Sequence, residues 1–356
     1  MIEDKTSLHS ELLYNRLIKR FRHLKKWAKR MEINSYRLYD RDIPEIPLVL
    51  DLYDDAVSGA IYIRPEETEK YTDNWLNAMK AAIEKVLGIN GSYIFIKERR
   101  EMKNRQYKGD QYEKISRKNF YRDAKEGDLF YRVNLSDYLD TGLFLDSRKK
   151  RALLRSHAGG KKVLNLFAYT STLSVAAAKG GAAIVDSVDL SKNYLEWGRI
   201  NFALNKLKAD FVEEAEFFNF PQSRSGPEKQ GYPKGPSGHK QIRSDVLHFL
   251  GWAEKMKLSW DIILLDPPSF SNSKKMTRVL DIKRDYIELI KHCLSILNPG
   301  GKLWFSANIK GFKLNAAHFP GYVVKDMGSQ LLDEDFKGKK IPACYTLEGE
   351  TGSVTP

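Results

Sequence analysis

Apolar residues at Leu13, Leu17, Phe21, Leu24, Ala28 and Met31 recur at helical spacing, with Arg16, Lys19, Arg20, Arg22, Lys26 and Lys29 mostly between them. This pattern predicts a basic amphipathic helix over residues 1–31. Strand-like runs follow at Tyr36–Tyr39, Leu48–Leu52 and Ala60–Ile63, with Pro44 and Pro47 in the first connection. A helical stretch from Asp73 to Leu87 stops at Gly88 and Asn90-Gly91, and Ser92–Ile96 reads as a further strand. Residues 32–132 are therefore predicted to form a small α+β accessory domain. From Val133 the pattern changes: Val163–Phe167, Ile184–Asp189, Ile262–Asp266, Leu303–Ser306 and Tyr322–Lys325 are short apolar runs separated by helical segments. That alternation predicts an α/β domain over 133–356, built on a parallel doubly wound sheet. Ser191 can cap a helix running to Asn205, and a helix over Asp281–Leu297 ends at Asn298-Pro299-Gly300-Gly301. Residues 222–243, rich in Gly, Pro and Lys/Arg, read as an exposed flexible insertion.

Charge sharpens this picture. The net charge is +13, and it is concentrated: residues 1–30 carry nine Lys/Arg against three Asp/Glu, and residues 97–125 carry eleven against five. Placement of this kind suggests a polyanion surface, because a cation near a phosphate releases condensed counterions. The second segment interleaves Lys97, Arg99, Arg100, Lys103, Arg105 and Lys108 with Tyr107, Tyr112, Phe120 and Tyr121, the mixture that backbone and base contacts to RNA require. A solvated helix face and ordinary core packing account for part of the same pattern. With 42% hydrophobic residues the chain can bury sizeable cores. It has no run of about 18 apolar residues and no signal-peptide pattern, so a cytoplasmic protein without membrane association is expected. Cys293 and Cys344 stand far apart without Cys/His spacing, which argues against a disulfide framework and against a metal site.

Candidate chemistry sits at the ends of the apolar runs. Val163–Phe167 followed by Ala168-Tyr169-Thr170-Ser171 and a small-residue helix up to Gly180-Gly181 makes a strand, a tight loop and a helix N-terminus, the frame of a nucleotide-sized crevice. Asp189 closes the next strand, where a carboxylate can accept ribose hydroxyls or cap the following helix. Asp245 stands where a third strand would end and can receive an adenine amino group, or cap a helix. In Leu264-Leu265-Asp266-Pro267-Pro268-Ser269-Phe270 the two prolines cannot continue a central strand. They fix a rigid loop that displays Asp266 and Phe270, a carboxylate for base N–H groups and a ring for stacking.

DPPSFSNSKKM (Asp266–Met276), VNLSDYLDTGLFLDSR (Val133–Arg148), NLFAYT (Asn165–Thr170), YLEWGRINFALN (Tyr194–Asn205) and the N-terminal NRLIKRFRHLKKWAKR with YRLYDRDIPEI resemble matching segments of one family. It is the guanine-N7 methyltransferase half of the bacterial fused 23S rRNA large-subunit methyltransferase. The resemblance covers nearly the whole chain, and it implies a class I, Rossmann-like methyltransferase fold, S-adenosylmethionine as donor and a guanine of 23S rRNA, naked or in a large-subunit assembly intermediate, as acceptor. It also implies that Thr141, Gly142, Phe144, Asp146 and Arg148 lie against the methionine part of the donor, with Arg148 at its carboxylate. Asn165, Phe167, Tyr169 and Thr170 would line the crevice, Asp189 would hold the ribose and Asp245 the adenine. Asp266, with Pro267, Pro268 and Phe270, would face the reacting centre. Three departures stand out. Ser171 replaces the glycine expected after Tyr-Thr, which restricts the loop if that position needs a positive φ. The 222–243 insertion is absent from the family pattern. The fused partner half is missing, so a separate guanine-N2 methyltransferase is the expected partner.

Guanine N7 carries its own lone pair, so its methylation needs positioning and electrostatics but no general base. Cytosine-C5 methylation, by contrast, needs a cysteine thiolate near the Asp-Pro-Pro loop or after the next strand. The chain has Ser269 and Phe305-Ser306-Ala307-Asn308 at those places. Exocyclic N-methylation of guanine or adenine is the alternative enzyme, with Ser269 intervening before the aromatic residue that usually follows the prolines. A non-catalytic RNA-binding assembly factor is the alternative of another class.

Overall fold

The computed structural model describes residues 2–100, 114–218, 238–271 and 279–350. The chain divides into two compact units, residues 1–145 with 333–339, and residues 146–332 with 340–356. In the first unit, α1 (Ile2–Arg30) precedes β1 (Ser35–Asp40), β2 (Leu48–Tyr53), β3 (Ala56–Ile63), α2 (Asp73–Leu87) and β4 (Ile94–Arg100). The strands pair in the order β1-β2-β3-β4, antiparallel except that the crossover through α2 makes β3 and β4 parallel. Leu13, Leu17, Leu24, Trp27 and Ala28 bury one face of α1 in a core with Leu38, Leu50, Trp75 and Ile83. Met31 lies beyond the helix end and is 49% exposed, so the apolar stripe stops one residue earlier than its spacing suggests. Thr72 caps α2 by accepting from the Trp75 N–H, and Gly88, at φ +66°, closes it.

Two boundaries differ from the sequence reading. The first unit extends through the hairpin β5 (Tyr121–Glu126) and β6 (Leu129–Asn134) to residue 145, not to 132. Its register is tied by an Ile33–Glu126 bridge and by Asn34, which donates to the Asp123 carbonyl and accepts from the Lys125 N–H. β4 also runs on to Arg100, into the segment read as a basic surface, because its pairing with β3 continues to Ile63.

The second unit begins with α3 (Arg148–His157), β7 (Lys162–Leu166), α4 (Thr172–Lys179), β8 (Ile184–Asp189), α5 (Lys192–Leu204), β9 (Asp210–Glu213), α6 (Glu214–Phe218) and β10 (His239–Arg243). It continues with α7 (Val246–Lys255), β11 (Trp260–Leu265), β12 (Phe270–Ser271), β13 (Leu280–Asp281), α8 (Ile282–Ser295), β14 (Leu297–Ala307), β15 (Tyr322–Asp326), α9 (Gly328–Leu331) and β16 (Ala343–Gly349). Its eight-stranded sheet has the order β15-β16-β14-β11-β7-β8-β10-β9. The six strands from β14 to β9 are parallel. The sheet is nevertheless mixed: β16 runs antiparallel to both β14 and β15, so Tyr322–Lys325 lies in an edge hairpin and not in a parallel crossover. Both faces of the central strands are covered, which is why β7 and β11 read as continuous apolar runs. Gly180 permits the close packing of α3 and α4: a Cβ there would lie 2.2 Å from the Arg155 carbonyl oxygen. Of the expected 222–243 insertion, residues 239–243 form β10, a buried strand between β8 and β9, while 222–237 lie outside the described residues. Among the described residues no helix is long and apolar enough to cross a membrane.

Candidate active site

The strand order reverses between β7 and β11: the chain builds outward from β7 through β8 and β10 on one side, then returns to lay β11 and β14 on the other. A crevice opens at the carboxyl ends of strands at such a switch point. The ends of β8, β7 and β11 stand side by side there, which brings the loops carrying Asp189, Phe167–Ser171 and Asp266 together.

The loop after β7 is locally strained. Phe167, Tyr169 and Ser171 all have positive φ, at +56°, +51° and +58°, a region that residues with a Cβ rarely enter. The backbone is held in place by its neighbours: the Ala168 N–H donates to the Val188 carbonyl, the Tyr169 N–H to Asp189 Oδ2 and the Ser171 N–H to the Ala168 carbonyl. Asn201 of α5 donates to the Thr170 carbonyl, and the Tyr169 and Tyr194 rings meet edge to face at 4.5 Å. Asn165 does not open onto the crevice. It is buried and donates to Ser174 at the start of α4, and Ser187 donates in turn to Ser174. Gln241 donates to Ser187 and accepts from Ser171, so a buried polar chain links β7, α4, β8 and β10. Thr170 and Ser171 are likewise buried.

Asp189 accepts from the Tyr169 and Ser191 N–H groups, one on each carboxylate oxygen. Burial pushes its pKa up to about 6, against the opposing pull of those backbone donors. Each oxygen keeps a lone pair, which suits it to accept further hydroxyl donors. Asp245 caps α7 by accepting from the Leu247 and His248 N–H groups. Arg148 opens α3 and is buried. A carboxylate with open lone pairs after β8, a strained loop before a helix and a buried guanidinium form a set that can hold a ligand with hydroxyls at one end and a carboxylate at the other. The remaining expected donor contacts, Thr141, Gly142 and Phe144, belong to the first unit, where the Thr141 hydroxyl meets the Tyr53 hydroxyl at 2.9 Å. Asp146 begins the second.

At the Asp-Pro-Pro loop the second unit contains a residue that sequence reasoning missed. Lys150 Nζ donates to Asp266 Oδ2 at 2.6 Å and to Ser306 Oγ at 2.9 Å. The lysine side chain is 7% exposed and the aspartate 36%. Burial pushes the lysine pKa down, but the carboxylate of Asp266 and the nearby Cys344 outweigh it and the net shift is upward, so the ammonium stays charged. Lys150 hides within Arg148-Lys149-Lys150-Arg151, which looks like a solvated charge run; its spacing from Leu154 is the signal that it faces inward. Ser269 donates to the Asn308 carbonyl at 2.7 Å, and Phe270 pairs with Asp281 in the β12–β13 ribbon. These contacts and Pro267-Pro268 anchor the loop that displays Asp266.

Neither cysteine is a nucleophile. Cys293 is buried in α8, and burial pushes its thiol far up. Cys344 pairs in register with Ser306 and lies nearer to the Asp-Pro-Pro loop than the sequence suggests, yet burial raises its pKa too. The basic segment is also corrected. Lys97 points into the first unit's interior, where burial lowers its pKa to about 8, and Arg99 is ion-paired to Asp140 at 2.5 Å. Strand alternation along β4 turns these side chains inward or toward acidic neighbours. The side chain of Arg100, and Lys103, Arg105, Lys108, Tyr107 and Tyr112, lie outside the described residues. No group of three or more His, Cys, Asp or Glu side chains that could hold a metal occurs among the described residues.

Comparison with known proteins gives concordant results. A family of S-adenosylmethionine-dependent methyltransferases matches residues 51–224. The chain is 39% identical over 338 residues to the ribosomal RNA large subunit methyltransferase K of Neisseria meningitidis, covering 94% of this chain and 86% of that one. It is 39% identical over 344 residues to the ribosomal RNA large subunit methyltransferase K/L of Hahella chejuensis and 40% identical over 342 residues to that of Pseudomonas putida. These matches cover 96% and 95% of this chain but only 43% and 42% of the relatives, so the chain spans about two fifths of their length. Among solved structures, a methyltransferase complexed with SAH is 24% identical with a TM-score of 0.65, covering 94% of this chain and 81% of that one. A SAM-dependent methyltransferase from Streptococcus mutans gives 23% and 0.64, covering 95% and 81%. At these identities the two structures speak to the fold.

Proposed function

Because the chain belongs to the family of S-adenosylmethionine-dependent methyltransferases that includes the ribosomal RNA large subunit methyltransferase K of Neisseria meningitidis, we propose that it methylates N7 of a guanine in 23S ribosomal RNA. Asp189 would hold the ribose of the donor, Arg148 its carboxylate, and the loop Phe167–Ser171 its nucleoside. When bound, S-adenosylmethionine supplies an electrophilic methyl group. Asp266 would accept from the N1–H and amino edge of the guanine, leaving N7 directed away from the carboxylate, and Phe270 would stack on the base. The N7 lone pair takes the methyl group without losing a proton, so the site needs no base.

The observation that carries the reading is the geometry at the Asp-Pro-Pro loop. Lys150 Nζ is engaged by Asp266 at 2.6 Å and Ser306 at 2.9 Å, and Cys344 is buried, so neither is placed to take a proton or attack a ring. Positioned charge around Asp266 is what an N7 reaction uses. The enzyme acts in the cytoplasm on large-subunit RNA, naked or assembling. The test is transfer from labelled S-adenosylmethionine to ribosomal RNA lacking the modification, followed by nucleoside mass spectrometry. The expected product is 7-methylguanosine, and Asp266→Ala should abolish it while cofactor affinity changes little. An N-methylated exocyclic amine as product would keep the fold and replace the chemistry; RNA binding with no transfer would make the chain a non-catalytic RNA-binding protein.

A further inference from the structure

An ammonium buried near the N-terminus of a helix needs an explanation. The third residue of α3 lies at the positive end of the helix dipole, where a cation is disfavoured, and Lys150 is also withdrawn from water. An apolar residue at this position would serve packing equally well. What the lysine adds is its contact with the acceptor loop: it grips Asp266 by Oδ2, while Oδ1 makes no hydrogen bond among the described residues. Ser306, at the end of β14, fixes the ammonium from the other side. The loop that presents the carboxylate is thus aimed by a cation from one element and a hydroxyl from another.

We propose that Lys150 is a positioning residue for methyl transfer, holding Asp266 turned so that its other oxygen meets the N–H edge of the acceptor base. The proposal rests on the N7 reading above. Methylation at N7 leaves the purine cationic, and its N1–H and amino groups become stronger donors as the charge develops. An ionised, fixed acceptor at that edge binds the transition state more tightly than the ground state, which is the condition for raising kcat. A carboxylate that is free to rotate loses that advantage. Lys150 itself exchanges no proton and touches no substrate.

The experiment compares Lys150→Met, Lys150→Arg, Asp266→Asn and the Lys150→Met/Asp266→Asn double variant with the unaltered chain, using unmodified ribosomal RNA and labelled S-adenosylmethionine. Cofactor affinity serves as the check on folding. Lys150→Met should lower kcat by about 30- to 100-fold at neutral pH, the scale of losing one preorganised electrostatic contact, with KM and cofactor affinity nearly unchanged. Lys150→Arg should restore most of the rate. In the Asp266→Asn background, Lys150→Met should cost less than about three-fold, since the pair acts as a unit. Equal losses with and without Asp266, or a rate that Lys150→Arg does not restore, would make Lys150 a structural pin and overturn the proposal. If Lys150→Met fails to bind cofactor, the arginine and double variants decide by the same two criteria. An unaltered chain that forms a nucleoside other than 7-methylguanosine overturns the N7 reading, while Lys150–Asp266 coupling is then scored on that product; an inactive unaltered chain removes both.

Discussion

Ser171 sits at φ +58° and ψ +28° at the entrance to α4, a conformation that costs a residue with a Cβ about 1–2 kcal/mol relative to the right-handed region. The serine is tolerated because its hydroxyl donates to Gln241 at 2.6 Å and because Gly198 of α5 leaves room for it. A Cβ on Gly198 would lie 2.6 Å from Ser171 Oγ and 2.8 Å from Gln241 Oε1, closer than such atoms approach. Gly198→Ala should therefore lower Tm: overpacking of about 1–3 kcal/mol exceeds the roughly 1 kcal/mol by which alanine is the better helix former. Ser171→Gly should rescue part of the loss, because it removes the Ser171 contacts and frees the strained backbone while the Gln241 contact remains, and the double variant should melt between Gly198→Ala and the unaltered chain. A Gly198→Ala chain with unchanged Tm would show that α5 can move away, and the paired account of these two residues would fail.

At the level of elements, β8 carries two carboxylates whose surroundings separate them. Asp186 is fully buried and accepts from Trp260 Nε1, a structural role, whereas Asp189 ends the strand at the crevice. With the Asp189 pKa pushed up to about 6 by burial, the carboxylate is ionised above that pH and protonated below it. A protonated carboxyl accepts hydroxyl donors less well, so S-adenosylmethionine affinity should be level above pH 6 and fall as pH drops, by about ten-fold at pH 5. Titration calorimetry across this range checks it; Asp189→Asn should bind more weakly and without the pH dependence, and an equally steep fall in that variant would assign the titration to another group. The element pattern also shows which parts of the site can be read from sequence. The ends of β7, β8 and β11 were legible because apolar runs buried on both faces stop abruptly at polar or proline residues. The role of Asp245 was open, since a carboxylate after a strand serves a cap or a ligand with the same spacing, and the structure shows the cap. β10 was missed because its sequence, His239–Arg243, carries four polar residues around Ile242; three of them, His239, Lys240 and Gln241, are buried through tertiary contacts that no local pattern reveals. Lys150 was missed because it stands in a run of four cations, although its spacing from Leu154 marks the inward face of α3.

At the scale of the whole molecule, the excess of positive charge is concentrated in two stretches, and α1 and the end of β4 are among the described portions of them. On β4, Lys97 is buried and Arg99 is paired, whereas α1 keeps a stripe of cations in water. Lys19, Arg22, Lys26 and Lys29 follow one another at intervals of three and four residues, all exposed, on the face opposite the buried Leu13, Leu17 and Leu24. None of the four forms an ion pair among the described residues, and α1 has no acidic residue after Glu11. If this stripe follows an RNA backbone, each cation that neutralises a phosphate adds about 0.7–0.9 to the slope of log affinity against log salt. Changing all four to Gln should then weaken binding to large-subunit RNA and flatten that slope by about 3, the count of contacts times the increment per phosphate. The exposed positions make the loss independent of folding, because the buried face of the helix is untouched. Lys97→Met supplies the contrast: it removes one positive charge from the same unit, but a charge in the interior of the fold, so the slope should not change. Filter binding at a series of salt concentrations distinguishes the two. An unchanged slope in the fourfold variant would reduce the stripe to a solvated face, and a flattened slope in Lys97→Met would mean that β4 opens toward the RNA after all.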